Sequence, residues 1–177
     1  DVCSSDLQKS TPATIAASSG KWYYEFVVTT SSVSPVRAVI GVQSSSMPTT
    51  EFPGYGDPNA WGMYLNDGNK YNNNTSGGVA YGSSFAVNDI AMCAFDLDNG
   101  KIWWGKNGTW FASGDPAAGT NAAFTNLTGT LFPAVGDGSG TQTFTGSINF
   151  GQRPFTYTPP SGYKSLCTTN LPDSTEI

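Results

Sequence analysis

Hydrophobic and polar side chains alternate along several short stretches of this chain. In residues 21–30, Trp22, Tyr24 and Phe26 fall on one side of an extended backbone. Because side chains of a strand point to alternate faces, this period of two predicts a β-strand with a buried face. Residues 36–43 show a second alternation, and the short polar segment between the two stretches predicts that they pair as antiparallel strands.

A later stretch, residues 90–97, is apolar on both alternating sets of positions. This is typical of a strand in the interior of a sheet whose two faces are both covered. Turn residues follow in 98–100 (DNG) and 107–108 (NG), since Asn, Asp and Gly tolerate the backbone conformations of tight turns. Between these turns, the adjacent Trp103 and Trp104 must face opposite sides of their sheet, one in the core and the other on an outer face or under a loop.

The whole pattern favours an all-β fold. No stretch keeps the 3.6-residue periodicity of an amphipathic helix, and no apolar run approaches the roughly 18 residues of a membrane-spanning helix. Roughly ten short strands separated by turn residues predict a β-sandwich or a barrel.

The amino-acid composition then excludes several classes of function. The 177 residues fit one domain with or without a tail. Charged residues make up 12% of the chain, and 13 acidic against 8 basic residues give a net charge of -5, the opposite of a typical nucleic-acid binder. The chain has no histidine, which excludes Ser-His-Asp and Cys-His catalysis and histidine-ligated zinc. Few charges and many turn formers favour a surface protein over a metabolic enzyme.

The two ends of the chain differ from its middle. Asp1–Leu7 has no hydrophobic period, and its back-translation resembles the end of a common short-read sequencing adapter. We therefore predict that residues 1–7 are not native, the alternative being a native polar tail. Residues 8–165 are predicted to form one sandwich domain, and residues 166–177 a linker or the truncated start of a further domain.

The three cysteines match no metal-binding spacing. Cys93 lies inside the apolar run and is predicted to be a buried free thiol. A disulfide between Cys3 and Cys167, one in each tail, remains an open alternative.

Eight short motifs follow one another along the chain. They are residues 19–25 (SGKWYYE), 39–42 (VIGV), 61–62 (WG), 68–71 (GNKY), 89–98 (DIAMCAFDLD), 102–108 (IWWGKNG), 131–135 (LFPAV) and 148–151 (INFG). In this order they resemble the SPRY domain, the core of B30.2 modules. The resemblance covers about residues 16–165 and departs from the family pattern at Asn88-Asp89 and Met92-Cys93. It implies a bent antiparallel β-sandwich of two sheets, of the concanavalin A-like jelly-roll type, which binds through its loops without catalysis or a cofactor.

Three further segments are similar to SPRY-type modules in bacteriophage virion proteins, such as tail fibres. They are residues 68–74, 149–155 and 159–172. This likeness implies a structural or host-attachment role at the virion surface, with other virion proteins, copies of itself or a host-surface glycan as partners. No nucleic acid and no membrane insertion are implied. A carbohydrate-binding, lectin-like module of a secreted bacterial protein is the alternative.

Aromatic residues in and beside the predicted loops are the first candidate site. Tyr55, Trp61, Tyr71 and Trp110 lie near Asn and Asp residues, and rings that stack on sugar faces beside amides that bond hydroxyls make a sugar-binding surface. The alternative is that these rings build the core or pack under loops.

Carboxylates are the second candidate. Asp96 and Asp98 would share a strand face and resemble part of a calcium loop, but the downstream bidentate Glu is missing, so a backbone-capping turn is favoured. A glycosidase needs two carboxylates in a cleft, and although Glu25 could be one, nothing in the sequence identifies the other. We therefore expect no catalytic residue.

Overall fold

Six strands form the first sheet. They are β1 (Lys9–Pro12), β3 (Ala38–Gln43), β4 (Ala60–Tyr64), β5 (Asn69–Tyr71), β6 (Val79–Ala80) and β10 (Phe132–Asp137), numbered along the chain. Their order across the sheet is β1-β10-β3-β4-β5-β6, and every pairing is antiparallel. The structure is a computed structural model that describes residues 9–48, 50–138, 140 and 142–171.

The second sheet has the order β11-β2-β7-β8-β9. Its strands are β2 (Lys21–Ser31), β7 (Ile90–Asp96), β8 (Lys101–Lys106), β9 (Thr109–Trp110) and β11 (Phe144–Asn149). A short strand, β12 (Lys164–Ser165), runs parallel to the start of β2, beyond the end of β11. The helical elements of the described residues are two single 3-10 turns, Phe111–Ser113 and Thr168–Asn170, and neither could cross a bilayer.

The two sheets pack against each other around one large apolar core, which confirms the predicted all-β sandwich. Trp22, Tyr24 and Phe26 point into this core, as the period-two pattern predicts. Opposite them lie Ile40 and Met63 of the first sheet, both fully buried. The sandwich therefore rests on the burial of large side chains between the sheets.

The predicted pairing of the first two strands is wrong. β2 pairs with β7 and β11, whereas β3 pairs with β10 and β4 in the other sheet. The short segment between them, 32–37, carries the chain from one sheet to the other. Alternation shows which face of a strand is buried, but it does not select the neighbouring strand, and the two stretches face each other across the core instead.

Both outer faces of the sandwich are also covered. On the second sheet, Tyr23 and Trp103 pack with Tyr163 of the segment that follows β11. On the first sheet, Val39 packs with Phe52 of the connection between β3 and β4. Covered outer faces explain why the longer strands are apolar on both sides.

The adjacent tryptophans divide as predicted. Trp104 lies in the central core, whereas Trp103 lies on the outer face and donates its indole N–H to the main-chain oxygen of Thr120 at 2.7 Å. The segment around Thr120 therefore covers the outer face above β8.

Two cysteines of the described residues are free. Cys93 is fully buried in the central core, as predicted, and burial raises the pKa of its thiol. Cys167 is half-buried, and the hydroxyls of Thr169 and Ser165, 3.1 and 3.5 Å from its Sγ, lower the pKa of this thiol. Cys3, the other half of the disulfide left open, lies outside the described residues, as do Asp1–Leu7 and residues 172–177 of the predicted linker.

The two thiols should therefore react at very different rates. Because the thiolate is the nucleophile, iodoacetamide at neutral pH should alkylate Cys167 far faster than Cys93 in the folded protein, and the two rates should converge in denaturant. Peptide mass spectrometry of a time course separates the two sites. Thr169→Val should slow the alkylation of Cys167. Equal native rates would contradict the buried position of Cys93.

Candidate functional site

Several connections meet at one end of the sandwich. Because neighbouring strands are antiparallel, the connections that follow β3, β5 and β7 emerge at the same end, and the connection between β9 and β10 reaches this end in its later part, where Phe124 pairs with Ile102 and the N–H of Leu127 donates to Gly100. We call this surface the loop end. It comprises residues 44–48, 50–59, 72–78, 97–100 and 122–131.

A network of side-chain amides ties three of these connections together. The indole N–H of Trp61 donates to Asn126 Oδ1 at 3.0 Å, and Asn126 Nδ2 donates to Asn72 Oδ1 at 3.2 Å. Asn72 Nδ2 in turn donates to the main-chain oxygens of Pro58 and Ala60 at 3.0 and 2.9 Å. The Trp61 ring is itself buried in the core, so the network fastens the loops to a rigid base.

Lys70 of the first sheet contacts one of the same loops. Lys70 Nζ donates to the main-chain oxygen of Ala123 at 2.6 Å and lies 4.8 Å from the ring centroid of Phe124 and 5.4 Å from that of Tyr81. Partial burial lowers the pKa of Lys70. The ammonium group therefore makes one hydrogen bond and two cation–π contacts within the protein, and these contacts hold the loop that contains Ala123 and Phe124 against the first sheet.

The four predicted sugar-stacking aromatics do not form one platform. Trp61 and Tyr71 are buried, with 1% and 5% of their surface exposed, Trp61 in the central core and Tyr71 on the outer face of the first sheet. Tyr55 is half-buried, and it and Tyr71 contact Phe52 on the outer face of the first sheet. Trp110 is half-buried on the outer face of the second sheet. Sugar stacking stays a prediction, and of the four only Tyr55 and Trp110 keep part of their surface exposed.

Asp96 and Asp98 organise a turn, the favoured interpretation of their sequence. Asp96 Oδ1 accepts the main-chain N–H groups of Asp98 and Asn99 at 3.1 Å, and its Oδ2 lies 3.4 Å from Lys21 Nζ. Asp98 Oδ1 accepts the N–H of Gly20 at 2.7 Å. These oxygens bind backbone and lysine, and the described residues contain no group of three His, Cys, Asp or Glu side chains arranged for a metal ion.

Glu25 has a role that the sequence did not reveal. Its side chain is buried on the outer face of the second sheet, where Oε1 accepts the Tyr23 hydroxyl at 3.0 Å and the N–H of Tyr157 at 2.8 Å. Its Oε2 accepts the N–H of Thr156 at 2.9 Å. A buried carboxylate needs such donors, so Glu25 fastens the segment after β11 onto the sheet. The signal in the sequence was its position, two residues from Tyr23 on a second apolar face.

Glu25→Gln should destabilise the fold. The substitution keeps the size of the side chain but turns one acceptor into an amide that faces a main-chain donor, which should lower the free energy of unfolding by about 1–3 kcal/mol. Urea titration measures this loss. Tyr23→Phe is the matched control, because it removes the hydroxyl alone and should cost about 1 kcal/mol. An unchanged urea midpoint for Glu25→Gln would contradict this role.

Comparison with known proteins agrees with this architecture. The sequence profile of the SPRY domain matches residues 21–153, so the chain belongs to the SPRY family. The SPRY domain of human HERC1 superposes with a TM-score of 0.67 at 21% identity, covering 84% of this chain and 86% of that chain. A second human SPRY domain gives a TM-score of 0.61 at 18% identity, covering 86% of this chain and 89% of that chain. These superpositions confirm the sandwich fold.

Two curated relatives are similar over most of this chain. Ran-binding protein 10 of Danio rerio is 29% identical over 146 residues, which cover 81% of this chain and 21% of that protein. The E3 ubiquitin-protein ligase RKP of Arabidopsis thaliana is 28% identical over 152 residues, 83% of this chain and 10% of that protein. The chain thus spans between about a tenth and a fifth of the length of these relatives.

Proposed function

We propose that this chain is a non-catalytic binding module on the surface of a bacteriophage virion. Its loop end contacts other virion proteins, further copies of the chain or the host surface. The observation that carries the binding role is the amide network of Trp61, Asn126 and Asn72, which holds loops from separate parts of the chain in one arrangement. Pre-ordered loops on a rigid sandwich lose little entropy on binding a partner.

Two further lines support the proposal. The similar Ran-binding protein 10 is by its name a protein that binds Ran. The virion setting rests on the likeness of residues 68–74, 149–155 and 159–172 to phage appendage proteins. In this setting residues 8–165 form the module.

The binding role predicts that breaking the network weakens attachment. Asn126→Ala removes the bridge between Trp61 and Asn72, so the loops should lose their fixed arrangement and binding to host cells or purified appendage proteins should fall about tenfold. Biolayer interferometry and cell-binding assays measure this. Asn66→Ala is the matched control, because the half-buried Asn66 lies in the turn between β4 and β5, at the opposite end of the sandwich, where its amide donates to the main-chain oxygen of Pro35 at 3.4 Å. Equal loss in both variants would contradict a role for the loop end.

The virion setting has its own test. Antibodies raised against the module should label the appendages of intact particles in immunogold electron microscopy. Label confined to lysed cells, with none on particles, would overturn the virion role and leave the binding role standing.

A lectin-like module is the second candidate, favoured by the surroundings of Tyr55. The main-chain N–H groups of Asn73 and Asn74 donate to the oxygens of Asp57 and Gly54, which places an amide-rich loop beside the half-exposed Tyr55. On a glycan array, micromolar binding that Tyr55→Ala abolishes and Trp110→Ala does not would favour this candidate.

A further inference from the structure

A cleft of about 550 Å³ opens at the side of the sandwich. It lies between β1, with the residues that follow it, and β11, and these are the edge strands of the two sheets. Core side chains reach its floor, because Phe26 and Phe144 belong to the central core and also line the cleft. Ile148 and Phe150, both half-buried, complete an apolar lining. Its volume is in the range of ligand-binding sites.

In the part of the chain that the structure describes, one wall of the cleft is a sheet edge with no further strand paired to it. β11 ends the order of the second sheet, so its main chain is paired with β2 on one side. The carbonyl of Ile148 accepts the side-chain amide of Gln152 at 2.7 Å. Gln152 Oε1 also accepts the main-chain N–H of Phe150 at 2.6 Å, so an incoming strand has to replace both hydrogen bonds of this exposed side chain. An open edge of this kind can accept a further strand through main-chain hydrogen bonds.

The positive charge at the cleft favours an acidic ligand. Arg153 is the one charged residue among those that line it, in a chain whose net charge is -5. Its side chain is exposed, and one guanidinium N–H donates to Ser147 Oγ at 2.7 Å. The ion pairs of the described residues join Lys21 to Asp96 and Lys106 to Asp89, so Arg153 takes part in neither. A guanidinium has five N–H donors, and it binds carboxylates well.

We propose that this cleft binds an extended segment of a partner protein. The segment adds to β11 as a strand, places apolar side chains at alternate positions over Phe26, Ile148 and Phe150, and sets an acidic side chain against Arg153. The proposal rests on the proposed binding role, but it uses a different surface from the loop end. The module could therefore hold one protein at its side and another at its loop end.

The test begins with a display library of random linear peptides, longer than the six residues of β11, selected on the whole chain. Enriched peptides should carry an acidic residue beside alternating apolar residues. Their affinity is then measured by fluorescence anisotropy on the wild type, on Arg153→Glu and on Arg37→Glu. Arg37 is exposed and does not line the cleft, so it is the matched control. Arg153→Glu should weaken peptide binding at least tenfold, whereas Arg37→Glu should leave it unchanged. The urea midpoints of both variants are compared with that of the wild type, to show that both variants are folded.

Main-chain pairing has a separate signature. Two versions of an enriched peptide are N-methylated at alternate residues, in complementary sets. Because alternate residues of a strand turn their N–H groups to the same neighbour, one version should lose binding and the other should keep it. Equal binding, or equal loss, would rule out strand addition.

Four other results would overturn the proposal. The first two are a selection that enriches no peptide, and an enriched peptide that binds Arg153→Glu as tightly as the wild type. The third is a dimer of the chain that excludes peptides and dissociates on Arg153→Glu, and the fourth is a peptide affinity that rises when residues 172–177 are deleted. The last two would assign the cleft to a second copy or to the chain's own tail. The proposed loop-end function would fail separately, through the Asn126→Ala comparison, because Asn126 does not line the cleft.

Discussion

The burial of both faces of β2 is the constraint on which the rest of this structure depends. Tyr24 and its neighbours on one face fill the space between the sheets, while Tyr23 on the other face lies under the segment that follows β11. A two-sheet sandwich ordinarily leaves its outer faces to solvent. Here the outer face is apolar, so the chain after β11 has to return across it. The buried carboxylate of Glu25 secures that return by accepting two main-chain N–H groups.

This arrangement leaves the surfaces available for binding at the ends and the side of the molecule. The outer faces are occupied by the chain's own segments. The loop end is held by amides and by Lys70, whose hydrogen bond and cation–π contacts are internal. At the side, the edges of the two sheets stay apart, and core side chains reach a cleft between β1 and β11. The same covering layers that stabilise the sandwich thus leave its loops and sheet edges as the accessible surfaces.

Much of the fold could be predicted from the sequence because it depends on local patterns. The alternation around Trp22, the turn at residues 98–100 and the opposite faces of Trp103 and Trp104 follow from the period of a strand and the chemistry of turn residues. Whether β2 pairs with β3 could not be decided from such local patterns. Two amphipathic strands joined by a short turn can pair side by side or face each other across a core, and packing of the whole domain decides between the two.

The candidate site shows the same division. The sequence determined that aromatic and amide residues are concentrated in and near the loops, since that is a matter of composition and order. It could not determine that Trp61 and Tyr71 are buried while Tyr55 and Trp110 keep exposed surface. Nor could it show that Glu25 accepts hydrogen bonds from main-chain N–H groups, or that a cleft with one arginine lies between two sheet edges. The Glu25 contacts and the cleft join residues more than a hundred positions apart, and such contacts exist only once the sheets have packed.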